Sequence, residues 1–341
     1  MENCFKGGDF VQRFVNDPDF VVEDMLKGFV MANPEVELAK ANDHVIVKKA
    51  KQKGKVGVIT GGGSGHEPAF LGYVGEGMLD AVAIGEVFAS PPAQAFYDAM
   101  LEADTGAGVA CLFGNYAGDN MNVRMAIQMA EDDEVEVKYV VATDDVASSP
   151  KATKEKRHGI AGGYFMWKVG GAKAAAGGTL DEVIAVAQKV VDRTRSICVG
   201  LEPCTIPAVG KPNFEIEAGT MEFGIGHHGE TGIRKEVLKN ADAIAAELVE
   251  TLLADFAFED KREFSVMLSG LGSTILMEQY ILIGKVLELL KEEGHAIHKV
   301  YVGNFVTSLD MSGASLTLID LDEEIKELME TSGDPVGMKN Y

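Results

Sequence analysis

Residues 56–70 read VGVITGGGSGHEPAF. The run VGVIT (56–60) predicts a buried strand, and it leads straight into Gly61-Gly62-Gly63-Ser64-Gly65-His66-Glu67-Pro68. Glycines at a strand end let another group approach the backbone closely, because no Cβ intrudes. In open α/β folds, ligands bind at the carboxyl edge of the strands. The spacing does not fit a dinucleotide fingerprint, since the sixth residue counted from Gly61 is His66. His66 is therefore a candidate general base, as imidazole titrates near neutrality.

The same alternation of apolar run, loop and helical period continues outward. DAVAIGEVF (80–88), GVACLFG (108–114) and VEVKYVVAT (135–143) predict strands. Helices are predicted at 91–104 and 121–133, with apolar residues at three-to-four spacing. The polar, glycine-ended stretch 144–163 predicts a long loop, and Thr179-Leu-Asp-Glu182 has the form of a capping box opening a helix over 179–194. A second round follows, with strands at 196–206, 221–226, 263–270, 299–306 and 314–321 and helices at 241–255 and 277–294. The expected fold is two α/β domains, mostly parallel sheets flanked by helices, divided near residue 190 into 1–190 and 191–341.

Two further loops carry candidate chemistry. Gly114-Asn115-Tyr116-Ala117-Gly118-Asp119-Asn120 follows a strand. Asp119 there is either the N-cap of the next helix or a catalytic carboxylate. Gly224-Ile225-Gly226-His227-His228-Gly229-Glu230 matches G-x-G-x-x-G literally, but Thr231-Gly232 follow where a dinucleotide-binding helix should continue. Two histidines bracketed by glycines are more telling. A neutral imidazole nitrogen is a nucleophile that can add to a carbonyl carbon.

Composition removes several classes of function. Asp plus Glu is 53 against 31 Lys plus Arg, a net charge of −22, which argues against nucleic acid or an anionic membrane as partner. No apolar stretch reaches 18 residues, and the start MENCFKGGDFVQRF lacks a signal-peptide pattern, so a cytoplasmic location is expected. Cys4, Cys111, Cys198 and Cys204 form no C-x-x-C pair and are expected to be reduced. There is no P-loop motif and no histidine spacing typical of a metal site, so no metal is expected.

The joint motifs GGGSGHEPAF, GNYAGDNMN, EPCTIPAVGKPNF, MEFGIGHHGE and VTSLDMSGASLTL resemble the dihydroxyacetone-binding K subunit of dihydroxyacetone kinases, in the family's order and over nearly the whole chain. The resemblance implies a homodimeric subunit in which a histidine adds through its ring nitrogen to the substrate ketone, giving a hemiaminal. That histidine maps to His228. It also implies His66 as base on the substrate hydroxyl and Asp119 as its binding carboxylate, with Gly63, Ser64, Gly65 and Gly114 beside the substrate. No cofactor is implied on this chain. ADP or ATP with Mg is implied on a separate L subunit, recharged in phosphotransferase-linked members by an M subunit.

Some positions depart from the family pattern. Gly114 stands where a Lys is common, His227 where an aliphatic residue is usual, and Thr231 where Pro is usual. These changes leave two alternatives beside a dihydroxyacetone kinase subunit. One is a kinase subunit for a four-carbon ketose such as erythrulose. The other is a non-catalytic, ketone-binding co-activator of a transcription regulator.

Overall fold

The computed structural model describes residues 13–338, without 213, 257, 259 and 332. Cys4 lies outside the described residues. In chain order the first half contains α1 (Val21–Ala32), β1 (Val36–Ala39), β2 (Asn42–Lys48), β3 (Gly57–Ser64), β4 (Gly75–Glu76), β5 (Ala81–Val87), α2 (Ala93–Ala103), β6 (Val109–Gly114), α3 (Ala117–Asp132), β7 (Val137–Ala142), α4 (Gly163–Ala175) and α5 (Leu180–Asp192). The second contains β8 (Thr194–Glu202), β9 (Thr220–Phe223), β10 (Arg234–Val237), α6 (Ala241–Phe256), β11 (Glu263–Gly270), α7 (Leu276–Glu292), β12 (Ala296–Gly303), β13 (Ser312–Asp320), α8 (Glu323–Glu330) and β14 (Asp334–Pro335), the last paired with β4.

Two six-stranded sheets result, ordered β1-β2-β5-β3-β6-β7 and β10-β9-β8-β13-β11-β12. The α/β class holds. Parallel pairing holds only in part. It joins β5, β3, β6 and β7 in the first sheet, but in the second only β11 and β12 run parallel. The reason lies in the connections. A parallel neighbour needs a crossover of a dozen or more residues, usually a helix. The helix α7 supplies one between β11 and β12. Among the described residues no helix separates β8 from β9 or β12 from β13, and β9 joins the sheet antiparallel to β8 and β13 antiparallel to β11.

Helices cover the sheets with apolar faces. Phe96 and Met100 of α2 pack with Val123 and Ala126 of α3 on one side of the first sheet. On the other side lie Phe165 and Trp167 of α4 with Val183 and Val186 of α5. Met267 and Ile319 of the second sheet join that same cluster, so α4 lies between the two sheets. The remaining face of the second sheet is covered by α6 and α7 through Leu248, Leu252, Ile283 and Val286. Thr179 and Glu182 form the capping box at the start of α5, with both reciprocal hydrogen bonds present.

The glycine run serves strand packing as well as lining the cavity described below. The strand β3 continues through Gly61, Gly62 and Gly63, which pair with Ala83, Ile84 and Gly85 of β5. A Cβ on Gly61 would collide with the Phe96 ring, and one on Gly62 with the Phe70 ring. These glycines therefore admit protein side chains against the strand. Pairing between β3 and β6 stops at Ile59–Cys111, so the two strands separate beyond it. The chain crosses from β3 to β5 on one side and then to β6 on the other. Such a topological switch point is where a crevice opens in this fold class.

Candidate functional site

A cavity of about 260 Å³ occupies that crevice, between the end of the first sheet and the turn after β9. Its lining includes Gly63, His66, Gly114, Asp119, His227 and His228. Ser64 and Gly65 stand behind the lining. Ser64 Oγ donates to the Gly85 carbonyl (2.7 Å), and Gly65 N–H donates to the Glu67 carboxylate (3.0 Å). Both therefore shape the loop that carries His66 and do not face the cavity.

Three imidazoles meet at the cavity. His66 is only 4% exposed. Its Nδ1 lies 2.6 Å from the Thr307 carbonyl oxygen, which can only accept, so Nδ1 carries a hydrogen. Its Nε2 is thereby an acceptor and lies 3.0 Å from Nε2 of His228, which donates. The other nitrogen of His228, Nδ1, lies 2.9 Å from Oε1 of Glu230, and the His228 backbone N–H donates to Oε2 (2.9 Å). A continuous chain results: Glu230, His228, His66, Thr307.

The electrostatics follow from this arrangement. Burial, together with the neighbouring His228 and His227, pushes the His66 imidazole well below its ordinary range, so it is neutral. Burial alone would raise Glu230, but hydrogen bonds from the ring and backbone of His228 outweigh it and hold the carboxyl at about 2. Glu230 is thus a fixed negative charge behind His228. Phe88 stacks on His66 with centroids 5.2 Å apart, and Tyr116 meets His228 edge-on at 5.0 Å while stacking on His158 at 4.7 Å. These rings leave the two imidazoles little rotational freedom.

Asp119 is not the cap of α3. The N-cap is Tyr116, with no side-chain cap bond, and Asp119 sits in the first turn. Its carboxylate turns inward, where Oδ2 accepts from Ser90 Oγ (2.6 Å) and Oδ1 is buried without a partner. Burial pushes this carboxyl up to about 6, against the opposing Ser90 hydrogen bond.

That shift has a consequence for stability. With a folded-state value raised from 3.8 to about 6, the native state binds more protons than the unfolded one in between. Stability therefore falls as pH rises through that window. At about 1.36 kcal/mol per unit, the ionised carboxylate costs about 3 kcal/mol at neutral pH. Asp119→Asn cannot ionise and is expected to raise the melting temperature at neutral pH by several degrees, an effect that disappears at acidic pH. Calorimetry at both pH values checks this; a lowered melting temperature at neutral pH would contradict it.

Several members of the site carry no sequence signal. The Thr307 carbonyl has no side-chain signature, although it belongs to the quoted stretch VTSLDMSGASLTL. Residues 307–309 strap the His66 loop: Thr307 N–H donates to His66 O (3.2 Å) and Leu309 N–H to Gly65 O (2.7 Å). Ser308 Oγ donates to the His227 carbonyl. Glu230 was visible within the glycine-rich turn, but its hold on His228 is visible only in space. Elsewhere, Glu23, His44 and Glu86 bring ligand atoms within 4.8 Å of one another, and none of them lines the cavity. Among the described residues no helix is long and apolar enough to cross a membrane.

Comparison with known proteins gives a consistent result. The family described as "Dak1 domain" matches residues 27–336. The chain is 40% identical to the "PTS-dependent dihydroxyacetone kinase 1, dihydroxyacetone-binding subunit DhaK" of Listeria innocua, over 92% of this chain and 95% of that one. It is 38% identical to the "D-erythrulose kinase" of Mycolicibacterium smegmatis, over 96% of this chain but 56% of that longer protein. Among solved structures, the dihydroxyacetone kinase of C. freundii superposes with a TM-score of 0.89 at 31% identity, over 95% of this chain and 60% of that one. The "Dihydroxyacetone kinase operon co-activator Dha-DhaQ" superposes with a TM-score of 0.87 at 33% identity, over 92% and 97%.

Proposed function

The chain belongs to the Dak1 domain family, and from that premise we propose that it is the dihydroxyacetone-binding subunit of a kinase, holding its ketone covalently on His228. The observation that carries this reading is the chain Glu230–His228–His66–Thr307 on the cavity wall. The hydrogen on His228 Nε2 first passes to His66 Nε2, which frees a lone pair on His228 Nε2. As that nitrogen bonds to the ketone carbon, the carbonyl π pair moves onto oxygen, and His66 gives the proton to that oxygen to form a hydroxyl. No water leaves, and the substituted imidazolium stays paired with Glu230.

The tether selects for a carbonyl, so glycerol is excluded. It also fixes a very small substrate, and phosphoryl transfer depends chiefly on such positioning. A substrate hydroxyl then faces Asp119 and His66. A base works best with a pKa near the working pH, which suits Asp119 at about 6; His66, held neutral, is ready to accept. Turnover should therefore fall as pH drops through about 6. The phosphoryl donor in this proposal is a nucleotide with Mg on a separate L subunit, recharged through an M phosphocarrier. The homodimer implied by the resemblance belongs to the same proposal. Ile275, Leu276, Met277, Tyr280 and Ile281, each at least 53% exposed, offer an apolar face for it.

The test is reconstitution with the L and M subunits of a phosphotransferase-linked dihydroxyacetone kinase. Formation of dihydroxyacetone phosphate that requires this chain is the expected result. The likeness to a co-activator, with Gly114 at the cavity, supports a second reading. Tight ketone binding with no phosphoryl transfer, and capture of a DNA-binding regulator in place of the L subunit, would establish that reading instead.

A further inference from the structure

The wall of the cavity holds a polar group that the proposed chemistry does not use. His227 is 2% exposed, lines the cavity, and its Nε2 is buried with no hydrogen-bond partner. Its ring centroid lies 5.9 Å from that of His66. Buried polar atoms are almost always paired, and an unpaired one costs free energy unless a ligand or water completes it. The backbone of His227 is held by Ser308 Oγ on its carbonyl, so the ring is presented from a fixed point.

Gly114 lines the same cavity. Gly114 carries no side chain, and a Cβ there would lie 3.2 Å from the Gly159 carbonyl oxygen and 3.5 Å from the Tyr116 ring. A Cβ there would be tight only against the Gly159 carbonyl. The cavity is also roomy for a triose. Allowing about 30 Å³ per heavy atom, the share of one water in the liquid, the six heavy atoms of dihydroxyacetone leave space over. The eight heavy atoms of a four-carbon ketose still fit within about 260 Å³.

We propose that His227 is a specificity residue, whose ring nitrogen hydrogen-bonds the additional hydroxyl of a four-carbon ketose held on His228. The inference rests on the ketone-binding reading above. Dihydroxyacetone has a carbonyl and two hydroxyls, one of them directed at Asp119 and His66. A four-carbon ketose adds one hydroxyl on the chain beyond the carbonyl, and His227 Nε2 is the unmatched buried group left to receive it. A site that pairs a substrate hydroxyl loses affinity when its own partner is removed, whereas a ligand lacking that hydroxyl is indifferent.

Calorimetric titration of the intact chain with dihydroxyacetone and with each enantiomer of erythrulose tests this. The wild type should bind one erythrulose enantiomer at least as tightly as dihydroxyacetone. His227→Leu should weaken that erythrulose about tenfold while moving dihydroxyacetone less than about twofold. His227→Gln, which keeps a polar end, should restore part of the preference, and melting curves confirm that both variants fold. If both ketoses bind and the Leu variant leaves their ratio unchanged, the role of His227 is overturned and the ketone-binding reading survives. If the wild type binds no ketose, both fall.

Discussion

His228→Ala is expected to lose the ketone adduct completely and to cut phosphoryl transfer by a factor on the order of 10³ or more. A well-placed intramolecular partner is worth about 7–11 kcal/mol of barrier, and the tether supplies much of that here. The substrate is too small to be positioned well by ordinary contacts. Removing the imidazole also leaves His66 Nε2 without its partner and the Glu230 carboxylate, otherwise held at about 2, without the ring it pairs with. Some loss of stability should accompany the loss of activity, so the melting temperature has to be measured beside the rate. A folded variant that turns over free dihydroxyacetone at the wild-type rate would show the tether to be unnecessary.

His66→Ala separates capture from transfer. His228 keeps Glu230 on its Nδ1, so the nucleophile stays oriented and the adduct should still form. Turnover should fall by roughly 10²–10⁴, the usual contribution of a positioned proton acceptor. The residual rate should depend on Asp119 and keep its acid limb near 6. The alanine variant also opens space beside Phe88, which stacks on the imidazole at 5.2 Å, and His66→Gln controls for that packing. Rates at saturating ketone, measured on enzyme shown to carry the adduct, decide the matter. An unchanged rate would remove His66 from the proton path and leave Asp119 as the sole base.

The elements most legible in the sequence were those whose local signals agree. The capping box Thr179–Glu182 marked the start of α5 because cap chemistry is local. Strands β5, β6, β11 and β13 were legible as apolar runs. Helix α4 was not, because YFMWKVGGAKAA is apolar on nearly every side and contains paired glycines. A helix buried all round loses the 3.6-residue period that would reveal it. Strand direction in the second sheet was equally hidden, since the length and course of a connection decide it and no residue type announces either.

The candidate site divides the same way. The candidate side chains His66, Asp119 and His228 stand out because they sit among glycines at strand ends, and the structure brings all three to one cavity. Ser64 shared that sequence setting but turns to the Gly85 carbonyl, which spacing alone could not tell. The Thr307 carbonyl, which sets the tautomer of His66, is 241 residues away in sequence and has no side-chain signature. Asp119 read equally well as cap or catalyst. Only its inward turn toward Ser90 distinguishes the two.

Covalent capture of a ketone on His228 is read by mass spectrometry of the intact chain, incubated with dihydroxyacetone and then sprayed under denaturing conditions that strip non-covalent ligands. The expected spectrum shows a mass increase equal to the whole ketone, with no water lost, in the wild type and in His66→Ala but not in His228→Ala. An adduct lighter by one water, which marks a lysine Schiff base, or a full-mass adduct that survives in His228→Ala, would contradict it.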